Sequence, residues 1–383
     1  MRKLRSWVPL ALASLLVAAC GGGGNDGSTR VQITSVKVMG DSLADSGTFG
    51  IKFTVQGAQS FIYPERIATN YGVSTLCPFY LFNGTTFVAN PTAGCTNYAI
   101  GGGRINNYTA PTAPLSIVQQ LVTAGAAAGT YKATDLLVID GGGNDAADLV
   151  GAYLRVPSDS GAAYSALLQT VLPPATVQAA LAQGAAGFAS VGGTYMTALA
   201  DVFYNAIKVN ALDKGAQHVV VLNMPGITNT PRFQMVLDGI AAAKGGGTAG
   251  AAARANAESL FKSWIGAFNS ELAVKFNGNS SVVLVDFYTS FNDQIASPAQ
   301  YLLSNVTTPA CPSTGTGSDG LLTYSFSTCT DAALSAMAPP AGSDGTVNWW
   351  KSYAFSDSFH PTPYGHDLLA RRIMKSLAEA GWY

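Results

Sequence analysis

The chain contains, near its two ends, the residue types that a serine nucleophile and its base require. Ser42 lies in a Gly-Asp-Ser-Leu sequence directly after an apolar segment. A serine hydroxyl needs a general base, and histidine is the usual one. His360 is one of three histidines in the chain, and Asp357 stands three positions before it. This spacing lets the carboxylate accept the imidazole N–H within one turn, so these residues predict nucleophilic catalysis.

The other two histidines are expected to be structural. His218 begins an apolar strand segment, at the edge of an α/β sheet away from its ligand crevice. His366 follows Pro363 at the start of an amphipathic segment, where a packing or capping role is expected. The surroundings of His360 also have a purely structural interpretation, a polar loop before a helix that Thr362 caps.

Two glycine-rich turns after apolar segments supply candidate hydrogen-bond donors. Asn144 lies in a Gly-Gly-Gly-Asn-Asp sequence, and its amide could donate to an oxyanion. Gly101, Gly102 and Gly103 let backbone N–H groups approach a ligand closely. If the chain after Ser42 is helical, the helix N-terminus would also stabilise negative charge. Each turn alone is explained equally well as an ordinary loop.

Five short apolar segments alternate with longer helical segments. The apolar segments are rich in Val, Ile and Leu, which indicates strands buried on both faces. Strands that alternate with helices predict a doubly wound α/β sheet. The predicted strands are Ile33–Met39, Thr96–Ile100, Asp135–Asp140, His218–Asn223 and Ser281–Phe287. The predicted helices are Phe61–Tyr71, Leu115–Ala127, Thr176–Leu212 (interrupted at Gly192-Gly193), Ala251–Phe276 and Pro363–Ala380.

The composition suits a large globular domain and excludes several functions. Charged residues make up 11% of the chain, against about 25% in soluble domains, and hydrophobic residues make up 48%. A disordered chain is excluded, because such chains are polar and carry high net charge. The net charge of −1 offers no basic field for nucleic acid. We expect no metal or cofactor, because the sequence has no Cys/His cluster and no phosphate-binding glycine motif between a strand and a helix.

The first 30 residues are predicted to be an export signal and a tether. Residues 1–19 have a basic start and a 13-residue apolar run, too short for a membrane-spanning helix of roughly 20 residues. The run ends in Leu-Val-Ala-Ala-Cys, which resembles a bacterial lipobox and implies lipidation of Cys20 and sorting to an outer membrane. An ordinary cleaved signal is the alternative. Residues 20–30 are Gly-rich, as in flexible linkers, and lead into one domain over 31–383.

Within that domain, three stretches are predicted to be loop insertions, at about 51–91, 241–257 and 298–351. Export would place the remaining four cysteines in an oxidising compartment, where disulfides persist. Four cysteines allow three pairings. The sequence favours the two local pairs, each 18 positions apart: Cys77 with Cys95, and Cys311 with Cys329.

The order of the motifs resembles that of the SGNH (GDSL) hydrolase family. Gly-Asp-Ser-Leu, a Gly-containing block, Gly-x-Asn-Asp and Asp-x-x-His follow one another from about Val36 to the C-terminus. The resemblance implies a flavodoxin-like three-layer sandwich with a central, mostly parallel five-stranded sheet. The Gly-x-Ser-x-Gly elbow of ordinary α/β-hydrolases is absent from the sequence.

The resemblance also implies a role for each motif residue. Ser42 would be the nucleophile, His360 the general base and then the general acid, and Asp357 the residue that orients His360. The oxyanion hole would have three N–H donors: the Ser42 main chain, the Gly102 main chain and the Asn144 side chain. Gly101 is the alternative to Gly102.

The activity implied by the resemblance is hydrolysis of lipid or short-to-medium acyl esters through an acyl-enzyme, by a secreted or surface-anchored serine esterase. The implied partners are the ester and, through the lipid anchor, a membrane. The segment Phe79–Phe82 and the pair Trp349-Trp350 could line an apolar acyl site. A carbohydrate O-acetyl esterase is the nearest alternative, and a non-catalytic surface-binding lipoprotein is the alternative of another class.

Overall fold

A computed structural model describes residues 31–73 and 76–383, so the predicted signal, Cys20 and the tether lie outside the described residues. The described residues contain eight strands: β1 (Ser35–Met39), β2 (Tyr80–Phe82), β3 (Phe87–Ala89), β4 (Asp135–Ile139), β5 (His218–Leu222), β6 (Val282–Val285), β7 (Gly315–Thr316) and β8 (Leu322–Thr323). The central sheet is parallel and has the order β1-β4-β5-β6. The pairs β2-β3 and β7-β8 are small antiparallel hairpins outside it.

Helices cover both faces of the central sheet. The first six are α1 (Tyr63–Asn70), α2 (Ile117–Ala128), α3 (Gly143–Leu154), α4 (Val156–Asp159), α5 (Ala162–Leu168) and α6 (Pro174–Leu181). The others are α7 (Ala185–Asn210), α8 (Pro231–Ala243), α9 (Gly247–Phe276), α10 (Phe287–Ala296), α11 (Asp331–Ala336) and α12 (Pro363–Glu379). Within the described residues, none of these helices combines the length and apolarity needed to cross a bilayer.

Burial of the central strands on both sides produces the three layers. Every residue of β4 and β5 is buried. Alternate side chains of β4 enter different clusters: Leu137 and Ile139 pack with α2, α7 and α9, whereas Leu136 and Val138 pack with α1, α10 and α12. Successive side chains of a strand point to opposite faces, so an all-apolar strand needs a cover on each side. The predicted doubly wound α/β fold is confirmed.

The central sheet has four strands rather than the five expected, because 96–100 does not form a continuous ladder. This segment lies beside β1, and only Asn97 forms a bridge, to Val38. The next ladder bond would come from the Gly40 N–H, which instead donates to Oε1 of Gln120 at 2.8 Å. The prediction of a fifth strand is therefore wrong, although the segment occupies the expected edge.

The helical region 176–212 is interrupted earlier than the sequence predicts. The chain breaks between α6 and α7 at Gly184, which has φ of +66°. Helix α7 then continues unbroken through Gly192-Gly193, so the interruption predicted there is wrong. Gly192 is buried against Trp264 of α9, and a Cβ there would overlap the indole. This glycine permits close helix packing instead of breaking the helix.

The Ala- and Gly-rich stretch 241–257 is not a loop insertion. It forms the end of α8 and the start of α9, joined by a short turn. Alanine is the best helix former, so this low-complexity sequence continues both helices. Three successive glycines in the turn have positive φ, which residues with side chains rarely adopt: Gly245, Gly246 and Gly247.

Residues 31–383 form one compact unit.

Disulfides join the two cysteine pairs that the sequence favours, Cys77–Cys95 and Cys311–Cys329. The second disulfide belongs to a small separate core in the stretch 298–351. Trp349 and Trp350 are buried in this core at 2% and 4% exposure. Their indole N–H groups donate to Leu334 and Ser335. The tryptophan pair therefore packs inside this core. The expectation that it lines an acyl site is wrong.

Substitution of the two adjacent glycines of α7 by alanine should change the free energy of unfolding in opposite directions. Gly192→Ala is expected to lower the free energy of unfolding by about 1–3 kcal/mol, because the new methyl overlaps Trp264. Gly193→Ala meets only ordinary contacts and should raise it by up to about 1 kcal/mol through helix propensity. Urea denaturation of both variants measures this, and equal changes would contradict the packing role of Gly192.

Candidate active site

Three side chains that the sequence predicts to act together form one hydrogen-bonded chain. The Ser42 hydroxyl lies 2.8 Å from Nε2 of His360, and Nδ1 of His360 lies 2.9 Å from Oδ2 of Asp357. An ionised carboxylate only accepts hydrogen bonds, so the proton is on Nδ1 and the bare Nε2 faces the hydroxyl. The imidazole is therefore in the tautomer that can take the hydroxyl proton.

Asp357 is held in its charged form by its neighbours. Burial by itself raises the pKa of Asp357, but attraction to His360 and hydrogen bonds from His360 and Phe359 outweigh burial and lower the pKa below its usual value. Oδ1 accepts the backbone N–H groups of Phe359 and His360 at 2.8 and 2.6 Å. A charged Asp357 stabilises the imidazolium that forms when His360 takes a proton.

The loop that carries His360 is held by hydrogen bonds within it before α12 begins. The Ser356 N–H donates to the carbonyl of His360 at 2.7 Å, and the Ser356 hydroxyl accepts the Val55 N–H at 3.1 Å. Thr362 caps α12 through the Gly365 N–H, as the structural interpretation of this segment predicts. Capping and positioning of the base thus occur together in one loop.

Ser42 stands in a turn at the end of β1 and not at the start of a helix. The Ala44 N–H donates to the carbonyl of Asp41 at 3.1 Å, and the Leu43 N–H donates to Oδ1 of Asp41 at 3.0 Å. The next helix, α1, begins only at Tyr63. The conditional expectation of a helix N-terminus at Ser42 is therefore not met, and the turn alone presents the hydroxyl.

The glycine turn 100–103 offers one free N–H near the nucleophile. The Gly101 N–H donates to Oδ2 of Asp45 at 2.8 Å, and the Gly103 N–H donates to the carbonyl of Ile100 at 2.9 Å. Among the residues that the structure describes, none accepts the N–H of Gly102 or of Ser42. Gly102 has φ of +82°, as the third residue of a type II turn requires. These contacts favour Gly102 over Gly101 as the donor.

Asn144 lies in the first turn of α3 and is bound to the same glycine turn. Its Nδ2 donates to the carbonyl of Gly103 at 3.0 Å. A side-chain amide has two N–H donors, so one remains for a ligand. Asp145 supports this arrangement, since its carboxylate accepts the N–H groups of Ile105 and Asn106 at 3.0 and 2.8 Å.

Asp45 is a functional-site residue to which the sequence assigns no role. Its buried carboxylate accepts backbone N–H groups from Gly47, Thr48 and Gly101 at 2.8–2.9 Å. It thereby ties the nucleophile turn to the glycine turn across 56 positions of sequence. The signal in the sequence is an Asp three positions after Ser42 in an otherwise small-residue loop, which also fits an ordinary turn.

A second buried carboxyl group, that of Asp140, accepts hydrogen bonds from the turn that carries Ser42 and from α1. Oδ1 of Asp140 accepts the Asp41 N–H at 3.2 Å, and the Tyr63 hydroxyl donates to its Oδ2 at 3.1 Å. Burial and then repulsion by Asp41 raise the pKa of Asp140 well above its usual value. Gly40 lies directly against this carboxyl, and a Cβ there would overlap Oδ1. The close fit fixes where β1 ends.

The other two histidines are buried packing residues. His218 packs edge-on against Trp382 at 4.8 Å, and burial lowers its pKa. His366 is fully buried in α12 and stacks on Tyr63. No group of three or more His, Cys, Asp or Glu within residues 31–73 and 76–383 is placed to hold a metal ion.

Comparisons with known proteins identify the family to which the chain is similar. A family model described as GDSL-like lipase/acylhydrolase matches residues 36–373. Lipase 1 of Photorhabdus luminescens is 26% identical over 368 residues, which cover 89% of this chain and 49% of that protein. The chain thus spans about half the length of this curated relative. The crystal structure of an extracellular lipase from Streptomyces rimosus covers 91% of this chain and 99% of its own, with 16% identity and a TM-score of only 0.35.

The buried His366 should make the fold sensitive to acid. Burial, together with the charges of Arg66, His360 and Lys52, lowers its pKa to about 3, so it protonates far more readily in the unfolded chain. The folded state is therefore stabilised by a neutral His366 at pH 7, and this stabilisation decreases as the pH falls below about 6.5. Between pH 7 and 5, His366→Leu should therefore lose about 2 kcal/mol less stability than the wild type. Urea denaturation at both pH values measures the difference, and parallel losses would contradict it.

Proposed function

Because the chain belongs to the GDSL-like lipase/acylhydrolase family, we propose that it hydrolyses carboxylic esters with Ser42 as the nucleophile. The observation that carries this proposal is the continuous chain of hydrogen bonds from Ser42 through His360 to Asp357, at 2.8 and 2.9 Å. The same arrangement of hydroxyl, imidazole and carboxylate activates serine nucleophiles on unrelated folds.

In the first half of the reaction, the Ser42 oxygen attacks the ester carbonyl carbon while its proton passes to Nε2 of His360. The imidazolium is stabilised by Asp357, whose lowered pKa keeps it charged. When the tetrahedral intermediate collapses, His360 returns the proton to the leaving alcohol. An acyl group then remains on Ser42.

The negative charge of the tetrahedral intermediate is proposed to be held by the free N–H groups of Ser42, Gly102 and Asn144. The first two have no acceptor among the described residues, and Asn144 has one amide hydrogen beyond its bond to Gly103. Donors already in place cost no reorganisation during the reaction. Loss of one such donor typically raises the barrier by about 3–4 kcal/mol.

The second half repeats these steps with water. His360 removes a proton from a water molecule, which attacks the acyl carbon, and the charge on oxygen is held by the same donors. When this second intermediate collapses, the bond between the acyl carbon and the Ser42 oxygen breaks, and His360 returns the proton to that oxygen. The carboxylic acid is then released. The proton transfers between Ser42 and His360 use a contact that is already formed in the structure, as is the contact of His360 with Asp357.

We further propose that the protein acts outside the cytoplasm. Two disulfides fit an oxidising compartment. The predicted signal and the predicted lipidation of Cys20 would attach domain 31–383 to a membrane through the tether 20–30. Globomycin treatment of expressing cells, followed by palmitate labelling, tests this, because an ordinary cleaved signal would give no labelled product.

Ser42→Ala should lower turnover of p-nitrophenyl esters by at least 10³-fold, because the nucleophile is lost. The matched control is Ser46→Ala in the same loop, whose buried hydroxyl has no partner among the described residues. It should retain near wild-type turnover. A fluorophosphonate probe should label the wild type and the control but not the Ser42 variant. If Ser42→Ala turns over the esters as fast as the wild type, Ser42 is not the nucleophile. If the wild type itself shows neither turnover nor labelling, a non-catalytic surface-binding protein is favoured.

Asn144→Ala should lower kcat by about 10²–10³-fold with a smaller change in KM, because the lost donor acts on charge that develops in the transition state. Steady-state kinetics with p-nitrophenyl butyrate measure both constants. Asn107→Ala is the control, since its Nδ2 donates to an exposed loop carbonyl at Ala110. An unchanged kcat in the Asn144 variant would exclude this side chain from the oxyanion site.

A further inference from the structure

We propose that four phenylalanines beside the base form a binding surface for the hydrocarbon chain of the ester. This aromatic strip consists of Phe53, Phe49, Phe82 and Phe87. The inference rests on the proposed ester hydrolysis and adds the substrate class, esters with a medium or long unbranched chain. It differs from the acyl site expected from the sequence, which includes the buried tryptophans 349–350.

The strip begins in contact with the reacting groups. The ring of Phe53 lies 5.2 Å from that of His360, at 35°. It also lies directly over Gly101 of the glycine turn, where a Cβ would overlap the Phe53 ring. Phe53 thus spans the space between the base and the turn that supplies the Gly102 N–H. A substrate bound for attack by Ser42 must pass next to this ring.

From Phe53 the rings continue outward without a polar interruption. Phe49 lies 6.1 Å from Phe53, edge to face, and 5.4 and 5.8 Å from Phe82 and Phe87. Phe82 and Phe87 are a cross-strand pair of the β2-β3 hairpin, 5.2 Å apart. Each step is a ring contact, so an alkyl chain would meet aromatic carbon along the whole strip.

The strip lies at the surface, where Phe49 and Phe87 also pack against the edge of the main core. Phe49, Phe53 and Phe87 are partly exposed, and Phe82 at the outer end is 38% exposed. The only cation between Phe49 and Phe53 in sequence is Lys52. Its ammonium is turned away, to Glu65 at 2.8 Å and the Ser60 carbonyl at 3.1 Å.

A hydrocarbon chain is the occupant that this surface fits. Phenyl rings can stack on the face of a sugar but offer no hydrogen-bond partner to its hydroxyls, and an acetyl group would cover only the inner end with one methyl. Each methylene removed from water could raise kcat/KM by up to about fourfold when fully buried. Because the outer end is open, we expect the gain to continue with chain length and not to stop at a closed wall.

The test measures kcat/KM for two series of esters with the wild type and single variants. One series is p-nitrophenyl esters from acetate to laurate, and the other is acetates of straight-chain alcohols from ethyl to dodecyl. The wild type should gain with chain length in at least one series, which also identifies whether the acyl or the alcohol side occupies the strip.

The variants should show losses graded by position. Phe53→Ala should reduce the gain from butyl chains onward by at least tenfold at dodecyl. For Phe82→Ala, the loss should begin only with the longest chains. Phe53→Leu, which keeps apolar contact, should recover part of the gain. The control is Phe188→Ala, which removes a partly exposed ring that stacks on Tyr164 and should keep the wild-type gain.

Each outcome bears on one claim. The proposed role of the aromatic strip is overturned if the wild type prefers the shortest ester of both series. It is equally overturned if the strip variants keep the full chain-length gain of the wild type. The fraction labelled by a fluorophosphonate corrects every rate for misfolded protein, so a loss confined to folding disappears after correction. If Ser42→Ala turns over all esters like the wild type, the proposed function fails instead, independently of the strip.

Discussion

The in-register pairing of β1 with β4, which sets Met39 beside Ile139, is the constraint on which the site depends. Parallel strands end at the same edge of a sheet, so this register places the turn after Met39 against the turn after Ile139. The two turns fit because Gly40 has no side chain where it meets Asp140. The Asp41 N–H then reaches Asp140 at 3.2 Å, and the chain leaves the sheet with Ser42 at the crevice. A shift of one residue would turn every β1 side chain to the other face.

Buried carboxyl groups around Ser42 have opposite electrostatic environments, and this follows from their partners. Asp357 receives two backbone N–H bonds and the imidazole, so its pKa lies below the usual value despite burial. Asp140 is buried beside another carboxyl, Asp41, and burial and repulsion raise its pKa. The charged group therefore stands next to His360, where it would stabilise an imidazolium. The group with the raised pKa stands behind Ser42, where it packs and accepts hydrogen bonds.

The low charge of the chain is explained by the layers that surround the site. Two fully buried central strands need apolar helices on both faces, and a third small core fills the stretch with the second disulfide. Around His360 the covering residues are aromatic, with Phe53, Phe326 and Phe359 at 5.2–5.6 Å. A site enclosed by carbon strengthens the hydrogen bonds within it, because the local dielectric is low. The same aromatic side chains limit the access of water to His360 and would give the proposed substrate apolar contact area.

The sequence by itself determined the features that depend on neighbours in the chain. Uniformly apolar strands such as His218–Leu222 implied cover on two faces, and the spacing of Asp357 and His360 implied their contact. Tertiary structure decided what depends on distant partners. Gln120 takes the Gly40 N–H and removes a strand, and Asp45 takes the Gly101 N–H and leaves that of Gly102 free. These bonds cross 80 and 56 positions. Local propensity carries no information about such contacts, because they form only when the sheet and both helix layers pack together.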